Sequence, residues 1–188
     1  MDSPFQIDGY AIASADGCIA GPDGAMPPSL SFEADHRFFV AALDEVDLVA
    51  HGRNSHEGQP NSGLRRRLWM TRSVAALEPR SGEARQWDWN PEGLPLDDAC
   101  RAIGLPCGVV AILGGPSAYG LFLPVYRAFY LCRAERVRIP GGTPVFSTMR
   151  DGATVEEVLR QNGLSPEPPV ALDAAQGVTL TRWARARG

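Results

Sequence analysis

The chain has 188 residues, a formal net charge of −4 and 44% hydrophobic residues. Its 18 basic residues are all arginine, from Arg37 to Arg187. The absence of lysine excludes a Schiff-base lysine, a catalytic ammonium and the lysine-dependent P-loop, and leaves any charged side-chain grip on phosphate to arginine. A mildly acidic chain argues against non-specific binding along nucleic acid, which needs a basic face. The hydrophobic content supports a buried core, and the length suits one domain over 1–188.

In chain order, a strand is expected over 7–14. A helix follows over 32–46, with Ser31 as N-cap and Glu33 in the first turn. Strands are expected over 47–51 and 68–71. The run Arg65, Arg66 and Arg67 reads as the solvated start of the second. The Pro/Gly-rich stretch 75–95 holds a possible edge strand over 86–89, where Trp87 and Trp89 pack or stack a ligand. Next come a helix over 96–103, a strand over 108–113, a helix over 117–122 and a strand over 128–132. The stretch 140–176 reads as irregular, and a strand over 178–183 closes the chain. Apolar runs that do not alternate, such as Val109-Val110-Ala111-Ile112-Leu113, suit strands covered on both faces. Strands alternating with helices predict an α/β fold, an open twisted sheet with helices on each side.

Cys18, Cys100, Cys107 and Cys132 form no C-x-x-C pair and have no histidine cluster nearby, so neither a zinc site nor a dithiol redox motif is expected. The i, i+5 spacing of His51 and His56, with no third ligand, speaks against a metal; contact with adenine or phosphate is the alternative for one of them. No signal pattern and no apolar stretch of ~18 residues is seen. The expectation is a cytoplasmic protein with reduced thiols and no membrane partner.

One acid stands out. At ~100° per residue, Phe38, Phe39, Ala42, Leu43 and Val46 fill one arc of the first helix, and Glu33, His36, Arg37 and Asp44 fill the other. Asp35 falls within the apolar arc. Burial there raises a carboxyl pKa, and such a group at a pocket lip suits hydrogen bonding to substrate N–H groups and protonation of a ring nitrogen. The plainer reading is a first-turn Asp facing water.

Three strand ends carry residues suited to a nucleotide: His51-Gly52-Arg53-Asn54-Ser55, Thr71-Arg72-Ser73 and Gly114-Gly115-Pro116-Ser117-Ala118-Tyr119. Ligands of open α/β sheets bind beyond the carboxyl ends of the strands. Glycine admits close backbone approach, helix N-termini attract anions, and arginine grips phosphate. There is no G-x-G-x-x-G fingerprint.

Together these residues resemble the dihydrofolate reductase superfamily, including the reductase domain of riboflavin-biosynthesis enzymes, over about residues 5–186. Ser14-Ala15-Asp16-Gly17-Cys18-Ile19-Ala20 resembles the S-x-D-G-x-I-A opening of the riboflavin-type reductases. Ala25-Met26-Pro27, Ala34-Asp35 and Phe38-Phe39 are similar to the mobile active-site loop and first helix of dihydrofolate reductases. Gly52-Arg53-Asn54-Ser55-His56-Glu57 and Ala111-Ile112-Leu113-Gly114-Gly115 resemble the family's cofactor turns.

The resemblance implies a three-layer fold with a mixed, mostly parallel sheet. It implies NADPH as cofactor, held by Ala20, Gly52, Arg53, Ser55, Thr71, Arg72, Gly114, Gly115, Ser117, Ala118 and Tyr119, with Arg53, Thr71 and Arg72 toward the 2′-phosphate. It also implies Asp35 as the catalytic and substrate-anchoring acid, and Met26, Phe39 and Cys132 as substrate neighbours. A cis bond is frequent at the family's glycine pair. A homodimer acting on a small molecule is implied as well.

The chain departs from the pattern in several places. Pro116 replaces a third glycine. Cys132 stands where folate-reducing members carry a threonine, and Pro27-Pro28 where they carry Pro-Trp. The stretch between Met26 and Asp35 is longer. These departures bear on folate as the substrate more than on the cofactor. Three functions follow: an NADPH-dependent reductase of a C=N or C=O group in a pterin, pyrimidine or related substrate; a standalone 5-amino-6-(5-phosphoribosylamino)uracil reductase, with Arg37 or Arg65 to Arg67 as guesses for its phosphate; or a nucleotide-binding module without chemistry.

Overall fold

The continuous apolar runs become the middle of a sheet. The computed structural model describes residues 3–52, 61–149 and 152–186. Its strands and helices are β1 (Phe5–Ser14), β2 (Cys18–Ala20), α1 (Glu33–Asp44), β3 (Leu48–Gly52), β4 (Arg66–Met70), β5 (Leu77–Pro79), β6 (Gln86–Trp89), α2 (Leu96–Ala102), β7 (Gly108–Ile112), α3 (Pro116–Phe122), β8 (Ala128–Ala134), β9 (Thr143–Pro144), α4 (Val155–Gln161), β10 (Leu164–Pro166), β11 (Val170–Asp173) and β12 (Val178–Arg185).

The main sheet has the order β10-β12-β8-β1-β7-β3-β4-β6-β5, with β11 also on β12. From β8 to β6 every neighbouring pair is parallel. β12, β10, β11 and β5 add antiparallel margins. The fold is α/β with a mixed, mostly parallel central sheet, as expected. The period of two along each strand sends alternate residues to opposite faces. Ile7, Leu48, Ala50, Val110, Ile112 and Phe129 pack with α2, α3 and α4, while Tyr10, Val49, Ala111 and Tyr130 pack under Phe38, Phe39 and Leu43 of α1.

Several expectations are corrected. α1 begins after Phe32 rather than Ser31, and the cap residue makes no side-chain hydrogen bond. β6 is interior, because the three-residue β5 pairs along its outer side. Its Trp89 is core, with Nε1 donating to Leu94 O at 2.8 Å. The start of β4 is not solvated. Arg65 and Arg67 are buried; Arg65 Nε donates to Leu43 O at 3.1 Å and its NH2 to Asp44, and Arg67 NH2 donates to Ser62 O at 3.4 Å. The stretch expected to be irregular contains α4, which opens on a capping box. Thr154 Oγ1 accepts from Glu157 N at 3.2 Å, and Glu157 accepts from Thr154 N at 2.8 Å. Among the described residues no helix is long and apolar enough to cross a membrane.

Candidate active site

The parallel strands all end on one margin of the sheet, and that margin gathers the glycine turns. Gly52 closes β3 opposite Met70 of β4, and its N–H donates to Gly114 O at 2.8 Å, just beyond β7. The Gly114-Gly115 peptide is cis. Gly114 has φ +110°, a region costly for side chains. A Cβ there would also meet Tyr119 Oη at 3.0 Å.

Gly52 and Gly115 differ from Gly114. Among the described residues, a Cβ on Gly52 would stand 3.6 Å from Gly114 O and 3.7 Å from Gly115 N, which is ordinary contact, and one on Gly115 would meet nothing within 4 Å. Neither is required by φ or by packing within the protein. Gly52 faces the Gly114-Gly115 backbone and Gly115 faces open space, and together they leave a cradle that side chains at these positions would enter. α3 starts there; Pro116 has no N–H, and the amides of Ser117 and Ala118, in the first turn, have no partner within the helix.

The other expected cofactor residues spread around this margin. Thr71 follows β4 and is buried, its Oγ1 accepting from Ser73 N at 3.1 Å and pairing with Ser73 Oγ at 2.8 Å. Arg72 is exposed and lies 3.3 Å from Glu92. Ser117 is exposed, and Ala118 is buried. Tyr119 lies beneath the turn, and its hydroxyl donates to Tyr10 O. Ala20 is buried in β2, paired with Thr143 of β9. Arg53 and Ser55, with His56, lie outside the described residues.

Asp35 lies on the sheet-facing side of α1, half-buried, beside the Cys132 thiol of β8. Burial pushes its carboxyl above the usual range, partly offset by the thiol and by His36. Burial and the Asp35 charge push the Cys132 thiol well up. Cys132 pairs with Ile12 of β1, two residues short of the strand ends. The acid therefore stands near the margin that carries the glycine turns, and Tyr119 feels its charge from beneath Gly114. Met26 is exposed, and Phe39 packs edge-on against Tyr10 with ring centroids 6.4 Å apart. His36 and Arg37 face outward, and Arg37 pairs with Glu33 at 2.6 Å.

The S-x-D-G motif is a fastener. Ser14 Oγ donates to Asp16 at 2.5 Å, and Ile139 N donates to the same carboxylate at 3.0 Å. Although burial pushes Asp16 upward, these hydrogen bonds hold it below its usual range. Ala15 N to Val137 O at 2.7 Å, Val145 N to Gly17 O at 3.0 Å and the β2–β9 pairing tie the expected active-site loop to the segment after β8. The Gly141-Gly142 turn marks this segment in the sequence. Its partner is set only by the fold: a Cβ on Gly142 would stand 2.6 Å from Ala20 O.

His51, read as a possible adenine or phosphate contact, is 1% exposed and bonds within the protein. Among the described residues, no group of three His, Cys, Asp or Glu side chains is placed to hold a metal.

No protein-family model matches the chain, and no curated protein matches it. Solved structures share its fold. A provisionally named riboflavin biosynthesis protein from Shewanella sp. PV-4 is 18% identical, with a TM-score of 0.62 over 97% of this chain and 99% of that one. A diaminohydroxyphosphoribosylaminopyrimidine deaminase/5-amino-6-(5-phosphoribosylamino)uracil reductase from Thermotoga maritima is 14% identical, with a TM-score of 0.63 over 96% of this chain and 56% of that one. Dihydrofolate reductase from Enterococcus faecalis, complexed with NADP(H), is 11% identical, with a TM-score of 0.60 over 97% of both chains. The chain therefore shares its fold with a dihydrofolate reductase and with riboflavin biosynthesis proteins.

Proposed function

We propose that the protein is a reductase that takes its hydride from a nicotinamide nucleotide, NADPH, and delivers it to a C=N or C=O carbon of a pterin, pyrimidine or related heterocycle. The observation that carries this reading is the half-buried Asp35 carboxyl, beside Cys132 and near the same sheet margin as the open Gly52 and Gly114-Gly115 cradle. The Enterococcus dihydrofolate reductase complexed with NADP(H), whose fold this chain shares, supports the same cofactor class.

The residues present fit such a cofactor. Gly52 and Gly115 leave room for the backbone to approach a pyrophosphate, and the Ser117 and Ala118 amides supply donors. Arg72, exposed beyond β4, is the described cation for a 2′-phosphate. When bound, the cofactor supplies the hydride. The chain supplies orientation and a proton. Asp35, with its pKa raised, anchors N–H groups of the heterocycle and holds a proton for its ring nitrogen. Burial on the sheet-facing side of α1 desolvates that carboxyl.

The shared fold with the Thermotoga enzyme favours a second reading within the same class, a standalone 5-amino-6-(5-phosphoribosylamino)uracil reductase. Cys132 in place of a hydroxyl beside Asp35 favours a pyrimidine over folate within this reading. A nucleotide-binding module without chemistry predicts NADPH binding with no consumption. Turnover of NADPH with dihydrofolate and with the phosphoribosylaminopyrimidine, followed at the nicotinamide absorbance, separates the three readings. A homodimer and a cytoplasmic setting belong to the same proposal; sedimentation tests the first.

A further inference from the structure

His51 has no role in the site as described, yet it occupies a demanding position. It belongs to β3 immediately before Gly52, and its ring is 1% exposed. Its Nε2 lies 3.0 Å from Arg67 NH1 on β4, and its Nδ1 lies 2.9 Å from the carbonyl oxygen of Gly52. A guanidinium carries donors only, so Nε2 accepts from Arg67. Nδ1 then bears the proton and donates to Gly52 O. Trp69 meets the imidazole edge-on, with centroids 4.2 Å apart. Trp69 is itself held by Nε1 donating to Gln86 at 2.7 Å and by the Arg80 guanidinium 4.3 Å over its ring.

We propose that His51, as the neutral Nδ1–H tautomer imposed by Arg67, is the positioning residue of the glycine cradle. The inference rests on reading that cradle as a nucleotide site. Glycine has the freest backbone of any residue, and among the described residues a Cβ on Gly52 would make only ordinary contacts. Two hydrogen bonds hold it instead, one on each side of its Cα. Its N–H reaches Gly114 O at 2.8 Å, and its C=O receives His51 Nδ1. Both flanking peptides are thereby oriented, and the β3 turn is locked to the Gly114-Gly115 turn before any ligand arrives. Orientation achieved in the free protein lowers the ordering cost of binding. The route runs Arg67, His51, Gly52, Gly114, from a buried guanidinium to the cis peptide.

The test compares His51→Gln with His51→Phe. Glutamine keeps an acceptor and a donor on neighbouring atoms; phenylalanine keeps a flat ring against Trp69 and loses both hydrogen bonds. NADPH affinity is read by tryptophan fluorescence, Gly52 amide exchange by NMR, and the histidine tautomer by 15N shifts, with His51 assigned among the three histidines by its loss in the variants. H51F is expected to weaken NADPH binding about tenfold, the scale of one lost buried hydrogen bond, and to speed Gly52 exchange while the amides of β7 stay protected. H51Q is expected to stay within about threefold of the wild type. An Nε2–H tautomer, wild-type affinity in H51F, or equal damage in H51Q and H51F overturns the proposal. If the wild type binds no nicotinamide nucleotide, the cofactor reading fails; the tautomer and the Gly52 exchange then still decide whether His51 positions the cradle.

Discussion

The Cys132 thiol of β8 faces the Asp35 carboxyl in the first turn of α1, and each shifts the titration of the other. A thiol is a weaker donor than a hydroxyl, and burial dominates the shift of Asp35. The acid is thus kept closer to protonation than a surface aspartate, which suits a proton donor.

Replacing the acid separates catalysis from nucleotide binding. Asp35→Asn is expected to lower turnover by about 10²–10⁴-fold, the usual scale for a positioned acid, and to leave NADPH affinity unchanged. Steady-state kinetics and fluorescence titration check the two halves. Unchanged turnover in D35N would remove Asp35 from catalysis, whereas no turnover in the wild type favours the module without chemistry.

The same substitution has a pH signature in stability. The folded pKa of Asp35 lies above the unfolded value of 3.8. The folded state then binds more protons than the unfolded one, so the stability contributed falls as pH rises from 3.8 through the folded pKa. D35N removes that loss. Thermal melts are expected to show D35N more stable than the wild type at pH 7 and no more stable below about pH 3.8.

Cys132 tunes this acid. Cys132→Ala removes the thiol that lowers the Asp35 pKa and is expected to move the acid's limb in the pH profile of kcat/KM to higher pH. Cys132→Thr supplies a stronger donor and moves the limb to lower pH. Coincident profiles would remove Asp35 as the titrating group. The thiols themselves offer a check. Cys107 is exposed while Cys18, Cys100 and Cys132 are buried, and burial pushes the Cys100 thiol up to about 12. One thiol per chain is expected to react rapidly in the native protein, and four after denaturation.

The two glycines of the cis pair should respond differently. Gly114→Ala meets a positive φ and the Tyr119 hydroxyl, and is expected to destabilise the fold by about 1–3 kcal/mol. Gly115→Ala meets nothing; it is expected to leave the melting temperature unchanged and weaken NADPH binding about tenfold or more. Equal effects of the two substitutions on stability would show that Gly115 serves packing, not a ligand.

Arg72 pairs with Glu92 at 3.3 Å, and both side chains are largely exposed, so the pair is weak and open to exchange for a phosphate. Arg72→Ala is expected to reduce NADPH affinity about tenfold, the scale of a charge-assisted hydrogen bond, with little effect on NADH. Equal losses for the two nucleotides would remove Arg72 from 2′-phosphate recognition.

Much of this architecture was readable from local pattern. The runs 109–113 and 128–132 are apolar on both faces because helices cover both sides of the sheet, and the angular position of Asp35 already placed it toward the sheet. What escaped depended on distant partners. Arg65 and Arg67 look like a solvated run until Leu43 O, Asp44 and Ser62 O, all outside β4, are brought to them. The three-residue β5, hidden among prolines and glycines, turns β6 from edge to interior. α4 carried its capping box in Thr154 and Glu157, but prolines and glycines on either side masked a helix of only seven residues. The role of Asp16 depends on Ile139, far along the chain, so its motif reads as an active-site opening although its carboxylate is a fastener.

The proposed function stands or falls on hydride transfer. With NADPH deuterated at the transferring carbon and a phosphoribosylaminopyrimidine or dihydrofolate as acceptor, wild-type protein is expected to yield product carrying one deuterium, and D35N to bind the nucleotide yet yield almost none. Nucleotide that binds and is never consumed with either acceptor, or product formed equally well by D35N, would contradict the account.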